Sequence, residues 1–117
     1  MPMPPGEQEL TDKWLSEHQS EYIEIKQEVL LSDSTPTASR RADIVGVVSE
    51  DGQRVVDVLE VKEYLGPRAI GQILYYAKYL TDIQGDEVRS KGIIFEKERD
   101  DLSRSLAEKH EIKLVEM

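Results

Sequence analysis

The sequence predicts one α/β domain on a mixed sheet of four to five strands flanked by helices, in the order α-β-β-β-α-β-α-β. Three observations carry this. Two apolar, β-branched runs, residues 42–49 and 54–62, are separated by Glu50, Asp51, Gly52 and Gln53. Asp-Gly between two such runs is a strong local hairpin signal. After Gly66 and Pro67, residues Ile70, Ile73, Leu74, Ala77 and Leu80 recur at helical spacing, the stripe of a helix that buries one face. Beyond it, short apolar runs at 92–95 and 112–115 flank a second helical stretch.

Taken in order, residues 1–6 are Pro-rich and read as a disordered tail, with the domain over 7–117. Residues 7–19 carry Leu10, Trp14 and Leu15 at helical spacing, which predicts a short amphipathic helix. Residues 22–31 alternate as a strand should, with Ile23, Ile25 and Val29 on one face. Residues 32–39 hold Ser, Asp, Thr and Pro and read as a loop. The hairpin strands follow, the second apolar enough from Val55 to be the buried centre of the sheet. Gly66 and Pro67 mark a helix start, with Pro at a tolerated first position, and this helix ends near Ile83. A short buried strand covers 92–95, a helix with Asp at its start covers 100–110, and 112–115 reads as a closing edge strand. The first three strands can form an antiparallel meander, after which the helix from Pro67 crosses over to a parallel strand.

The chain has 117 residues, room for one domain with a modest core. It lacks cysteine, which excludes a disulfide framework, a thiolate zinc site and a cysteine nucleophile. His18 and His110 are its two histidines, and both sit in polar contexts that suit the surface. No apolar run approaches the roughly 18 residues a membrane span needs. The N-terminus has neither the basic nor the apolar region of a secretory signal, so a cytoplasmic location is the expectation. Net charge is −9, from 24 acidic and 15 basic side chains. That balance is awkward for binding nucleic acid, which relies on a basic footprint. A bound cation neutralising an acidic cluster, a small local basic patch, or a high-salt host would each ease the conflict.

The hairpin brings Asp43 near Glu60 and Lys62. Glu60 and Lys62 are two apart on one strand, so they project from the same side. Two carboxylates and an ammonium at a sheet surface can hold a divalent cation beside a water molecule, the set that metal-assisted phosphodiester hydrolysis needs. The alternative for Glu60 and Lys62 is an exposed cross-strand ion pair, but their strand is too apolar for a solvated face, and ionisable groups on a buried strand suggest a site. Asp43 alone could be a turn cap or a partner of Arg41. Asp57, on the opposite face from Glu60, reads as structural. Tyr75, Tyr76 and Tyr79 suit packing with hydroxyls at the rim. The charge run over 96–100 reads as an exposed connection.

Asp43, then Glu60, Val61 and Lys62 on the next strand, then a helix with Gln72 and Tyr76, resembles the PD-(D/E)xK nuclease superfamily. The Gln72-x-x-x-Tyr76 spacing is similar to that of RecB-like and lambda-exonuclease-like members, and the whole run resembles the nuclease domain of the NucS type. The proline of the signature is absent, with Ala42 preceding Asp43. The resemblance implies a restriction-endonuclease-like fold. It implies Mg²⁺ or Mn²⁺ held by Asp43, Glu60 and the backbone carbonyl of Val61, with a further carboxylate from the first helix, Glu7 or Glu9. Lys62 would orient the attacking water and stabilise developing charge, and Gln72 would bond to the water or the phosphate. Arg40, Arg41, Arg68 and Tyr76 are the candidate contacts to nucleic acid. The implied function is a metal-dependent DNA endonuclease of the structure-specific or repair and recombination kind, with a homodimer as one way to face two strands. The rival is a catalytically silent nuclease-fold module for binding or assembly.

Overall fold

A computed structural model describes residues 4–30 and 41–117. The predicted loop over 32–39 and Arg40 lie outside the described residues. Helix α1 spans Pro5–His18, followed by a 3-10 turn at Gln19–Glu21; then come strands β1 (Glu24–Leu30), β2 (Arg41–Glu50) and β3 (Gln53–Leu65), helix α2 (Pro67–Asp82), strand β4 (Val88–Glu98), helix α3 (Asp101–Lys109) and strand β5 (Ile112–Glu116). Pro5 and Gly6, assigned by sequence to the tail, are the first two residues of α1. Proline is tolerated there because the first helical amide has no intrahelical acceptor.

The five strands lie in sequence order. β1, β2 and β3 pair antiparallel, and β3, β4 and β5 pair parallel, as the predicted meander and crossover require. β3 is therefore central. The hairpin turn is built at Asp51 and Gly52, both with positive φ (51° and 80°), the backbone that a type I′ Asp-Gly turn demands. α3 opens on Asp100, whose side chain accepts from the Ser103 amide at 2.6 Å, an N-cap that satisfies one orphan donor. β4 is longer than predicted, because residues 88–91 and 96–98 are strand as well. Their polar side chains hide the pattern, and the charge run expected to be a connection begins inside β4. Glu98 there pairs with Arg104 of α3 at 2.6 Å.

Two cores sandwich the sheet. α2 and α3 cover one face, where Ile70, Ile73 and Leu80 pack on Val56, Val58 and Phe95. α1 covers the other, where Leu10 and Trp14 pack on Ile44, Leu59 and Val61. Ile25 and Ile44 belong to the α1 side, but Val29 and Ala42 belong to the α2 side. Strict alternation would keep such residues on one face, so both strands turn over between them. Glu28, with a φ of 50°, marks the change in β1. Ile23 does not join the expected face; it is 72% exposed.

Candidate active site

The turnover shapes the site. Pairing of β2 with β3 runs from Glu50 opposite Gln53 to Ile44 opposite Leu59 and stops there, although both strands continue. One further step would place Asp43 opposite Glu60. Instead of a ladder bond, the Asp43 side chain takes over: the Val61 amide donates to Asp43 Oδ2 at 2.8 Å. The amide and carbonyl of one strand residue point to the same edge, so the Val61 carbonyl is turned toward the same side.

Glu60 is 2% exposed, and its carboxyl hydrogen-bonds to that of Asp43. Two carboxylates in contact cannot both stay ionised without a cation. Burial, then the bond to Asp43 and its charge, push the Glu60 carboxyl up to about 10, against a smaller opposing pull from Lys62. Glu60 Oε2 is buried with no hydrogen-bond partner among the described residues. A buried oxygen left unpaired costs about 1–3 kcal/mol, so this orphan calls for an explanation.

The sequence left Glu7 and Glu9 as alternatives, and the structure separates them. Glu7 feels the charges of Lys62, Asp43 and Glu63 and bonds to the Glu63 backbone; desolvation, outweighing Lys62, holds its carboxyl above the ordinary range. Glu9 is exposed on α1. The N-terminal turn of α1 thus brings Glu7 beside the carboxylate pair and Lys62. Gln72 sits on α2 with Oε1 buried and unpartnered among the described residues, a second orphan oxygen, and no hydrogen bond among them joins it to Asp43, Glu60 or Lys62.

The other predicted contacts divide. Arg41 and Arg68 are exposed, and Arg68 borders an open depression of about 580 Å³ together with Glu7, Lys62, Tyr64 and Arg99. Tyr76 is 5% exposed and packs in the α2-side core, so its ring is a core residue rather than a contact for nucleic acid. α2 is covered by both the sheet and α3, which widens its buried stripe to include Tyr76 and Tyr79. Asp57 is structural, as expected. It is 4% exposed and accepts from Tyr22 Oη at 2.8 Å, Ser90 Oγ at 2.7 Å and Arg89 Nε at 3.0 Å. Burial raises its carboxyl, but the bonds from Arg89, Ser90 and Tyr22 outweigh that and hold it below the ordinary range. Tyr64 and Arg99 were not singled out from the sequence. Tyr64 follows Lys62 by two on β3, a weak local signal, whereas the pairing of Tyr64 with Lys97 of β4 cannot be seen locally.

Among the described residues, no group of three or more His, Cys, Asp and Glu side chains could hold a metal ion. The donors on offer are two carboxylates, one with an orphan oxygen, and a backbone carbonyl. That set does not suit zinc, which takes three or four protein ligands. It fits Mg²⁺ or Mn²⁺, hard cations that take oxygen ligands and, for Mg²⁺, keep several waters.

No family model and no curated protein sequence matches the chain. Solved structures do. A repair endonuclease from Pyrococcus abyssi matches at TM-score 0.64 and 18% identity, over 100% of this chain and 49% of that one. EndoMS in an EndoMS–dsDNA complex matches at TM-score 0.60 and 17% identity, over 100% of this chain and 46% of that one. A protein of unknown function, AF1548, matches at TM-score 0.54 and 18% identity, over 92% and 55%. The fold is thus that of these endonuclease structures, a single α/β domain with a five-stranded mixed sheet. The chain spans about half the length of the two endonuclease structures it matches.

Proposed function

We infer that this domain is a metal-dependent nuclease hydrolysing phosphodiester bonds in DNA, of the structure-specific or repair and recombination kind, and a member of the PD-(D/E)xK superfamily. The observation that carries the reading is the orphaned, buried Glu60 carboxyl in contact with Asp43, beside Lys62. A fold shared with repair endonucleases supports it. A silent binding module has no use for a buried carboxyl with an unsatisfied oxygen, which only costs it stability.

Asp43, Glu60 and the Val61 carbonyl would hold Mg²⁺ or Mn²⁺, with Glu7 as the nearest further carboxylate. When bound there, the cation would acidify a water and offset charge on the phosphoryl oxygens. The protein's part is to fix those donors. The Val61 amide pins the Asp43 carboxylate, so one donor is oriented before any ligand arrives. Lys62 supplies a positive charge that orients the attacking water and stabilises the negative charge growing on phosphorus-bound oxygen. The Gln72 amide offers both a donor and an acceptor, and its buried oxygen suits a water or phosphate partner. Arg41 and Arg68 remain exposed for phosphate contact, and a second subunit would give a second centre for the opposite strand.

The test is incubation of the purified protein with labelled single-stranded, duplex and junction DNA in Mg²⁺, Mn²⁺ or EDTA. Cleavage of at least one form with either metal, absent in EDTA and in Asp43→Asn, is expected. Equal cleavage by Asp43→Asn would sink the assignment.

A further inference from the structure

The depression beside Lys62 carries a second feature that metal binding does not use. Arg99 Cζ lies 4.7 Å from the centre of the Tyr64 ring, and Lys97 Nζ lies 5.8 Å from it. Tyr64 and Lys97 are register partners on β3 and β4, so the sheet itself sets the contact. Tyr64 and Arg99 both border the depression, with Arg68 from the first turn of α2. None of Arg68, Lys97 and Arg99 has an ion-pair partner among the described residues. In the same protein, Arg54, Arg89 and Arg104 each have a carboxylate within 3.2 Å.

That contrast has a physical meaning. With 24 acidic against 15 basic side chains, a carboxylate is the common partner for a cation, and pairing with one cancels its charge. An aromatic face holds a guanidinium by its quadrupole, within about 6 Å of the ring centroid, without cancelling the charge. Arg99 is thereby positioned yet keeps its full positive charge and its planar fork of donors, the geometry that matches a phosphate bidentately. Glu7 and Glu63 also border the depression, but Glu7 is occupied with Lys62 and the Glu63 backbone.

We propose that Arg99 and Arg68 form a clamp on the phosphodiester backbone of the substrate strand flanking the cut, with Tyr64 as the positioning residue that holds Arg99 in place. The proposal rests on the nuclease reading and deepens it by assigning where the strand runs: from Lys62 toward the C-terminal end of β4, on an otherwise acidic molecule. This local cationic edge also answers the conflict posed by the net charge of −9.

Phosphate contacts have a readout that a structural role does not move, the dependence of affinity on salt. Each neutralised phosphate contributes about 0.9 to the slope of log affinity against log salt on duplex DNA and about 0.7 on single strands. Binding of a short labelled DNA, as duplex and as single strand, is followed by fluorescence anisotropy in EDTA over a salt series. Arg99→Ala and Arg68→Ala are expected to lower the slope by about 0.9 each on duplex, or about 0.7 on single strand. Tyr64→Phe keeps the ring and should keep the wild-type slope. Tyr64→Ala should lose part of the Arg99 contribution, and adding it to Arg99→Ala should change nothing further. Thermal melting of each variant confirms the fold.

An unchanged slope in Arg99→Ala overturns the clamp, as does loss of affinity at constant slope. Additive effects of Tyr64→Ala and Arg99→Ala overturn the positioning role. The measurement needs no cleavage, so a wild type that binds with these slopes but never cuts would refute the nuclease reading and leave the clamp standing.

Discussion

Replacing Glu60 by Gln tests the carboxylate pair without any substrate. Burial and Asp43 push the Glu60 carboxyl up to about 10, from an ordinary 4.5. The folded protein then holds one proton more than the unfolded chain at every pH between those values. The stability from this group is fully present below the unfolded value and is lost as pH rises toward the folded one. The slope is a loss of about 1.36 kcal/mol per pH unit for one proton. Between about pH 6 and pH 8 the metal-free wild type should lose roughly 3 kcal/mol through this group. An unfolding entropy of about 2.1 cal/mol/K per residue converts that to a melting shift on the order of 10 °C for a chain of this size. Gln keeps the shape and a hydrogen-bond donor for Asp43 but cannot ionise, so Glu60→Gln should lack this loss. The assay is thermal melting of both proteins in EDTA across that pH range, read as the difference between the two curves. Taking the difference removes the contribution of Glu7, whose raised carboxyl acts in the same direction. Saturating Mg²⁺ should restore the wild type most at high pH, where both carboxylates can ionise, and should affect the variant little. Parallel curves for wild type and Glu60→Gln would show that no proton is shared, and the pair would lose its physical basis.

Asp43→Asn should nearly abolish cleavage and shrink the stabilisation that Mg²⁺ gives at constant ionic strength, which for the wild type reaches about 2.7 kcal/mol at a hundredfold excess over the dissociation constant; an identical Mg²⁺ shift in both proteins would mean that the ion acts on the acidic surface at large. Lys62→Ala should lower the single-turnover cleavage rate about a hundredfold or more, in line with loss of one charge-stabilising group, with little change in metal affinity; equal loss of both would make Lys62 structural. Gly46→Ala should destabilise the fold by about 1–3 kcal/mol, because the new Cβ would lie 2.5 Å from Tyr22 Cε1 while the Tyr22 hydroxyl is held by Asp57. An unchanged melting midpoint for Gly46→Ala would show that the ring moves aside freely.

What the sequence made legible is what short-range physics decides. The Asp51 and Gly52 turn, the Pro67 helix start and the Asp100 cap are local signals, and each holds in the structure. The hairpin register alone was enough to bring Asp43 to Glu60, because antiparallel pairing through a two-residue turn fixes which residues oppose. What was not legible depends on distant elements. No local pattern announces that β1 and β2 turn over near Glu28 and Asp43, yet that break ends the ladder and frees the Asp43 carboxylate for the Val61 amide. Tyr76 looked like a rim residue because its burial comes from α3 and the sheet together. The residues over 88–91 are too polar to read as strand, and parallel pairing with β3 makes them one. Tyr64 and Arg99 are 35 positions apart in sequence, and their meeting depends on that same pairing.

The strongest internal control for the site is a second buried acid on the same strand. Asp57 and Glu60 both lie on β3 and are nearly inaccessible, 4% and 2% exposed, so both bear a desolvation cost. Asp57 recovers it. Tyr22, Ser90 and Arg89 all donate to its oxygens, and its carboxyl is held in the ionised form. Those bonds tie the segment after α1, β3 and β4 together, a structural duty that explains the burial in full. Glu60 recovers it only in part, since one oxygen has no partner among the described residues and the group that bonds to its carboxyl is another carboxyl. Folding alone would favour the Asp57 solution at both positions, and an apolar side chain at position 60 would continue the core of β3. A buried carboxyl left unsatisfied within the fold marks a functional-site candidate. Burial is common to both acids; satisfaction within the fold separates them, and it singles out position 60, beside Asp43 and Lys62.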